Sequence, residues 1–203
     1  HGTICEFKHY RDDELISWIA AYLGKSGCRI TSRAAKHLIE KSGTKMQQLI
    51  NEMDKLISYV GDKAQIDTDD VDAICTTLLS SRIFNMMDFI VSGKRNDALK
   101  LYADLLAMKE SPLSILFLLT RHYNILAMIK ELYNQSDAAI AKIISVPSFS
   151  VRKYKAQANA YKKEELINII TECVDVEEKI KTGKLVPQVG VELLIIRLSG
   201  LTP

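Results

Sequence analysis

Prolines and glycines are rare along this chain, and their scarcity constrains its fold more than any single motif. Only 4 prolines and 9 glycines occur among 203 residues, and Leu, Ile, Ala, Lys and Glu dominate the long stretches between them. Those residue types favour helices, whereas Gly and Pro interrupt them. Apolar residues make up 47% and charged residues 26%, which is typical of a folded globular chain. The sequence therefore predicts an all-α protein.

The first 80 residues contain four segments with helical periodicity. The first is RDDELISWIAAYLGKSG, and the second is CRITSRAAKHLIEKSG, for which Thr31 is the predicted N-cap. The third, LINEMDKLISYV, has a regular apolar stripe and places Glu52 and Lys55 on the opposite, solvent-facing side. The fourth begins at Asp67, whose reciprocal capping partner would be Asp70. We expect these four helices to form a small bundle.

The rest of the chain predicts a second, larger set of helices. Pro112, Pro147 and Pro187 each stand near a helix start, where a missing N–H costs little. Residues 113–133 are apolar almost all round, so this helix is either the centre of its own bundle or partly covered by another subunit. The predicted helices lie near residues 83–92, 94–109, 112–134, 136–144, 149–163, 164–182 and 187–199.

The sequence predicts no catalytic, cofactor-binding or metal site. Phosphate-binding loops, dinucleotide-binding glycine motifs and nucleophile elbows are all absent from it. The four cysteines are far apart and form no CxxC pair, which indicates reduced thiols in a cytoplasmic protein. The longest apolar run, LSILFLLT, is too short to span a membrane. The isolated histidines His9, His37 and His122 are interpreted as surface or satisfied core residues.

Acidic residues cluster at the predicted helix starts. One cluster is Asp12, Asp13 and Glu14, and the other is Asp69, Asp70 and Asp72. Negative charge near a helix N-terminus is stabilised by the helix dipole. The clusters are therefore interpreted as structural.

One basic segment is a candidate contact for nucleic acid. Residues 151–163, VRKYKAQANAYKK, contain five Lys and Arg and no acid. Such a helix could follow phosphates or meet an acidic partner. Alternatively, Tyr154 and Tyr161 pack inward while the cations remain solvated. The formal charge is only +2, split as −2 over residues 1–81 and +4 over residues 82–203, so extensive nucleic-acid coating is not implied.

The order of several short motifs resembles one known family. The sequences GTKMQQLINEMDKLISY and IDTDDV are followed by DALKL, SPLSIL, VPSFSVRK and EEKIKTG. Together they resemble the delta subunits of bacterial DNA polymerase III clamp loaders, over residues 4–199. The resemblance implies an AAA+ lid at residues 10–79 and a collar domain at residues 82–203. Residues 1–9 would be a remnant of an upstream AAA+ domain or an artificial start.

The resemblance also implies a function. In this family a complete chain opens the sliding clamp and grips it through its N-terminal AAA+ domain. This chain would then hold the subunit in the loader pentamer through its collar, without a catalytic site, cofactor or membrane contact of its own. Its partners would be the other loader subunits, and contact with DNA would be indirect or weak, through residues 151–163.

The third helix bears on nucleotide sensing. In ATP-hydrolysing relatives, an arginine in a G-S-x-R-x-x-L setting reaches the γ-phosphate. In the corresponding register, from Gly43 to Leu49, this chain has Met46 at the arginine position and Lys45 beside it. A thioether has no charge with which to bind phosphate. The replacement of the arginine by Met46 favours the delta subunit over an ATP-hydrolysing motor subunit.

Three other functions remain open from the sequence. The chain could be another clamp-loader subunit, of the gamma/tau or delta-prime type. It could be a helical DNA-binding protein with a helix-turn-helix at residues 29–58, although a net negative charge over residues 1–81 argues against this. It could also be an all-α enzyme, although no titratable residues converge in the sequence.

Overall fold

The structure is a computed structural model that describes residues 10–61 and 65–200. The described residues divide into two compact units, the first ending at Leu78 and the second beginning at Leu79. Nearly all of the regular structure in these residues is helical, so the all-α prediction is confirmed. The predicted upstream remnant at residues 1–9, with Cys5 and His9, lies outside the described residues.

The first unit contains four helices and one very short strand pair. Thr31 caps the second helix as predicted, since its Oγ1 accepts the Ala34 N–H at 3.1 Å. Two-residue strands pair in parallel and were not predicted, because so short a segment shows no alternating pattern. The elements are α1 (Asp12–Gly24), β1 (Arg29–Ile30), α2 (Ser32–Ser42), α3 (Met46–Val60), β2 (Gln65–Ile66) and α4 (Thr68–Ile74).

The start of α4 has the predicted reciprocal cap. The Asp67 carboxylate accepts the N–H groups of Asp69 and Asp70 at 3.1 and 3.3 Å, and the Asp70 carboxylate accepts the Asp67 N–H at 2.9 Å. These bonds satisfy donors that a helix start leaves unpaired. Ile66 and Val71 are fully buried on either side of the cap. The cap thereby fixes the direction in which the chain enters α4.

The expected solvent position of Glu52 is wrong. Glu52 is 5% exposed, and its carboxylate accepts the Thr76 N–H at 3.0 Å while pairing with Lys55 at 2.5 Å. Lys55 also donates to the Thr76 hydroxyl at 3.0 Å. Helical periodicity placed this acid away from the apolar stripe, but the segment after α4 returns over it. Glu52 and Lys55 together fasten that segment to α3.

We expect Glu52→Ala to destabilise the first unit by about 2 kcal/mol, because it removes a charge-assisted hydrogen bond to a backbone N–H. Trp18 is the only tryptophan of the chain and lies in α1, so its fluorescence during urea unfolding reports on this unit. Gln48→Ala, a truncation on the same helix, is the control and should change stability by less than about 0.5 kcal/mol. Equal effects of the two substitutions would contradict a bracing role for Glu52.

The second unit contains the remaining seven described helices. Pro112 and Pro187 occupy the first turns of their helices, and Pro147 is the N-cap of another, as their positions in the sequence predicted. The helices are α5 (Leu79–Val91), α6 (Arg95–Ala107), α7 (Pro112–Leu132), α8 (Asp137–Ile144), α9 (Ser148–Asn159), α10 (Lys163–Lys181) and α11 (Pro187–Leu198).

Helix α7 is the centre of the second unit. By length and composition it is apolar enough to cross a membrane, but it packs against α5, α8, α9, α10 and α11. Its packing therefore makes it a core helix, which is the first of the two predicted alternatives, while exposed side chains such as Phe117 leave the second alternative open. The side chains that it buries are Ile115, Leu116, Leu119, His122, Tyr123, Ile125, Leu126 and Ile129.

The basic segment is not one helix. Helix α9 ends at Asn159 and α10 begins at Lys163, so the predicted helix over residues 149–163 is too long at its C-terminal end. Tyr161 lies between them and is buried against Tyr123, with ring centroids 5.8 Å apart. The Glu165 carboxylate accepts the Lys162 N–H at 2.7 Å and so starts α10. Core packing of Tyr161 and this new cap together break the helix.

Candidate partner-binding surface

The cysteines of the described residues offer no reactive thiol. Cys28, Cys75 and Cys173 are buried and unpaired. Burial raises the pKa of Cys75 to about 12 and that of Cys173 to about 11. Both thiols are therefore protonated at neutral pH and are poor nucleophiles. Within residues 10–61 and 65–200, no group of three or more His, Cys, Asp or Glu is arranged to hold a metal ion.

His37 belongs to a polar cluster that joins α2 to α4. Its Nε2 lies 2.8 Å from Asp72 Oδ1, and Lys41 Nζ lies 3.1 Å from the same oxygen. Lys41 also donates to the backbone carbonyls of Val71 and Asp72, each at 3.0 Å. A cation is stabilised at these carbonyls near the C-terminal end of a helix. The hydrogen bond from His37 and the nearby Lys41 hold the pKa of the Asp72 carboxyl below its usual value.

Asp72 therefore corrects the interpretation of the second acidic cluster. Asp69 and Asp70 lie in the first turn of α4 as predicted, but Asp72 lies in its second half. Its charge is balanced by Lys41 and not by the helix dipole. The first cluster, Asp12 to Glu14, does occupy the first turn of α1.

His122 is a satisfied core residue, as its isolation in the sequence suggested. It is buried in α7, and its Nε2 lies 2.6 Å from Gln157 Oε1. Gln157 in turn donates to Asp88 Oδ1 at 2.5 Å, so the three side chains connect α7, α9 and α5. Burial lowers the pKa of His122 to about 4, and the ring is therefore neutral at physiological pH. Its role is to connect helices.

Two of the five cations of the basic segment form ion pairs within the second unit. Lys155 pairs with Asp137 at 2.7 Å and lies 5.5 Å from the centre of the Tyr133 ring. Lys163 pairs with Glu131. Tyr161 is buried and Tyr154 is partly buried, which agrees with the inward-packing alternative. The segment is therefore a weaker candidate for phosphate contact than its composition alone indicated.

The second unit exposes two adjacent rows of side chains, one on α7 and one on α10, which together we call the α7–α10 surface. Phe117 is 62% exposed, Ile167 is 51% exposed and Val174 is 53% exposed. The α7 row consists of Phe117, Arg121, Asn124, Met128 and Glu131, and the α10 row of Glu164, Ile167, Thr171, Val174 and Glu178, all of which are exposed.

The two rows lie side by side because α7 and α10 are packed antiparallel. The Glu131–Lys163 ion pair joins the end of α7 to the start of α10. A hydrogen bond with Thr120 acts on the Cys173 thiol, which places the first half of α7 beside the second half of α10. Met128 and Ile167 therefore lie towards one end of the surface, and Phe117 and Val174 lie towards the other.

A neighbouring helix also exposes apolar side chains. Val186, Val189 and Leu193, at the start of α11 and within it, are all exposed. Helix α11 packs on α10, and an ion pair between Arg197 and Glu172 joins them. Large contiguous apolar areas on a folded unit mark sites where other proteins bind. The sequence predicted α7 to be apolar on nearly every side, but only the packed structure distinguishes its covered side chains from the exposed ones.

Comparisons with known proteins agree on one family. The sequence profile of the family "DNA polymerase III delta subunit, C-terminal domain" matches residues 80–198. DNA polymerase III subunit delta of Bacillus subtilis (strain 168) is 30% identical over 200 residues, which cover 98% of this chain and 58% of the relative. The probable DNA polymerase III subunit delta of Aquifex aeolicus (strain VF5) is 25% identical over 150 residues, which cover 72% of this chain and 43% of that relative.

A solved structure gives the same result. The Bacillus subtilis DNA clamp loader delta protein superposes with a TM-score of 0.81 at 27% identity, covering 96% of this chain and 58% of that one. The chain thus spans about 58% of the length of its Bacillus relative. None of these matches is to a gamma/tau or delta-prime subunit, or to a helix-turn-helix protein. The chain belongs to the family of DNA polymerase III delta subunits, whose C-terminal domain it contains.

Proposed function

We propose that this chain is the C-terminal part of a clamp-loader delta subunit and holds that subunit in the loader pentamer during DNA replication. Residues 10–79 would be the lid of an AAA+ domain, and residues 82–203 would be the collar that contacts neighbouring subunits. The sliding clamp would be gripped by a domain upstream of the lid. Family membership and the clamp-loader relative of known structure support this proposal.

One observation is the main support for assigning residues 82–203 to the collar. The α7–α10 surface exposes Phe117, Ile167 and Val174, each more than half exposed, on helices whose other sides are the core of the second unit. Leaving such side chains in water costs free energy that a partner would recover by covering them. The second unit is therefore the better candidate for the assembly module.

The proposed role is non-catalytic. The described residues contain no candidate metal centre, and the described cysteines and His122 are committed to the core. Met46 is the first residue of α3, where ATP-sensing relatives have an arginine, and it offers no charge for a γ-phosphate. We therefore propose a subunit of the polymerase complex that works in the cytoplasm and leaves ATP hydrolysis to its neighbours.

Co-assembly with the other loader subunits tests the proposal. We expect the chain, mixed with the gamma/tau- and delta-prime-type subunits of the same organism, to elute with them in size-exclusion chromatography. Apolar contacts do not depend on charge, so the complex should survive about 0.5 M salt, which screens exposed charges. Independent elution of the chain at every protein concentration and salt would contradict the assembly role.

The DNA-binding alternative can be tested separately from subunit assembly. Arg152 is exposed on α9, but Lys155 and Lys163 are held in ion pairs. Direct phosphate contact would give a mobility shift of duplex DNA that weakens steeply with salt. A strong shift together with no subunit binding would favour a DNA-binding protein over the proposed collar.

A further inference from the structure

We propose that the α7–α10 surface receives a single helix of a neighbouring subunit, with basic residues facing α10 and an acidic residue facing Arg121. This inference rests on the proposed function and specifies the chemistry of the partner. Three properties of the surface carry it: the spacing of its rows, the charges left over after internal pairing, and their unequal distribution across the surface.

The spacing of both rows is that of a coiled-coil seam. Exposed residues follow one another at intervals of four, three, four and three along α7, and of three, four, three and four along α10. Alternation of three and four residues keeps a row facing one side over several turns, and helices pack along such rows at shallow angles. Two adjacent rows of this kind border a track that a third helix fits. A helix, whose own side chains repeat at three and four residues, is the occupant that this spacing favours.

The charges of the surface are unevenly satisfied within the chain. Four acidic residues on or beside it have cationic partners, in the pairs Glu131–Lys163, Asp175–Lys179, Glu177–Lys181 and Glu172–Arg197. Within the part of the chain that the structure describes, no ion pair involves Glu164, Glu178 or Arg121. Covering these three charges with an apolar partner would leave them uncompensated, which is costly. The partner must therefore supply opposite charges.

The three unpaired charges lie in different rows. Glu164 and Glu178 stand at the two ends of the α10 row, on either side of Ile167 and Val174. Arg121 lies in the α7 row on the side of α9. There its charge lowers the pKa of Tyr154, which burial raises. A partner helix with Lys or Arg along one edge and Asp or Glu along the other fits this surface in one orientation. Such complementarity selects partners and speeds their association.

A nucleic acid does not fit the same surface. Helix α10 carries six acidic and three basic residues, and its exposed row ends in two unpaired carboxylates. A phosphate backbone would be repelled there. A second copy of this chain is the remaining competitor for this surface.

Charge reversal with a matched control tests the inference. Glu178→Lys should slow association with the gamma/tau- and delta-prime-type subunits about 5- to 10-fold at low salt, as should Arg121→Glu, and both differences should shrink near 1 M salt. The control for Glu178→Lys is Asp104→Lys, which makes the same charge change at an exposed site of α6. It should stay within about twofold of the unsubstituted chain. Surface plasmon resonance gives the rates.

Two outcomes would contradict the inference about the partner helix but not the proposed assembly role. In the first, Glu178→Lys and Arg121→Glu bind like Asp104→Lys while the chain still assembles, so charge does not orient the partner. In the second, analytical ultracentrifugation of the chain alone shows a dimer that Glu178→Lys disrupts, so the occupant is a second copy. Failure of the unsubstituted chain to bind any loader subunit would instead contradict the proposed function itself.

Discussion

Replacing both Ile167 and Val174 by aspartate should weaken binding to the other loader subunits by more than about 100-fold. Both side chains are about half exposed in the free chain and would be covered in the complex. The substitution removes their apolar contact and places two carboxylates in a desolvated contact that already contains Glu164 and Glu178. Because both positions face away from the core, the fold should tolerate the change. Titration calorimetry against the purified partner subunits measures the loss.

The matched control is a double substitution of equal chemistry elsewhere on the same unit. Met108 and Ile143 are 56% and 49% exposed and lie outside both rows. Met108→Asp with Ile143→Asp should leave affinity within about threefold of the unsubstituted chain. Circular dichroism of all variants checks that the helices persist. If the Ile167 and Val174 variant binds as tightly as this control, the partner site lies on another face, and the exposed residues of α11 become the next candidates.

The second unit should lose about 2 kcal/mol of stability between pH 7 and pH 4.5 because of His122 alone. Burial holds the pKa of this histidine at about 4, against 6.5 in an exposed peptide. The unfolded chain therefore binds the proton more tightly than the folded chain does. The contribution is complete above pH 6.5, declines as the pH falls, and reaches its limit near pH 4. The groups around the ring are Gln157, Arg121, Phe84 and Tyr154, and the Asp88 carboxylate is linked to the ring only through Gln157.

His122→Gln isolates this effect, because a glutamine can still bond to Gln157 but does not titrate. Urea unfolding followed by circular dichroism should show a smaller loss between pH 7 and pH 4.5 for the variant than for the unsubstituted chain. Trp18 fluorescence, which reports on the first unit, should be the same for both at each pH. Parallel pH dependence of the variant and the unsubstituted chain would mean that His122 is not buried in its neutral form.

Local signals in the sequence predicted the helices well. The Asp67 cap, the Thr31 cap and the prolines at helix starts act through bonds or geometry within one turn, so their chemistry can be recognised without the rest of the fold. The apolar composition of residues 113–133 likewise predicted the long core helix α7. The extent of α9 was wrong because the break at Tyr161 depends on a contact with Tyr123, 38 residues away.

The side chains that were misassigned share one property. Glu52 and Asp72 were each assigned from their own helix, Glu52 to solvent and Asp72 to the dipole of α4. Their actual partners, Thr76 for Glu52 and Lys41 for Asp72, lie more than 20 residues away. Helical periodicity gives the side of a helix that a residue occupies, but not what packs over that side.

The sequence by itself determined the helical class, the family, and most helix starts and ends, because these follow from composition, motif order and bonds between neighbours. Only the tertiary structure decided which apolar residues of α7 and α10 remain in water, and that His122 is buried in a chain of hydrogen bonds. Exposure depends on which helices pack against each other, and those contacts join residues far apart in sequence. The α7–α10 surface therefore became visible only after folding had covered the rest of the apolar side chains.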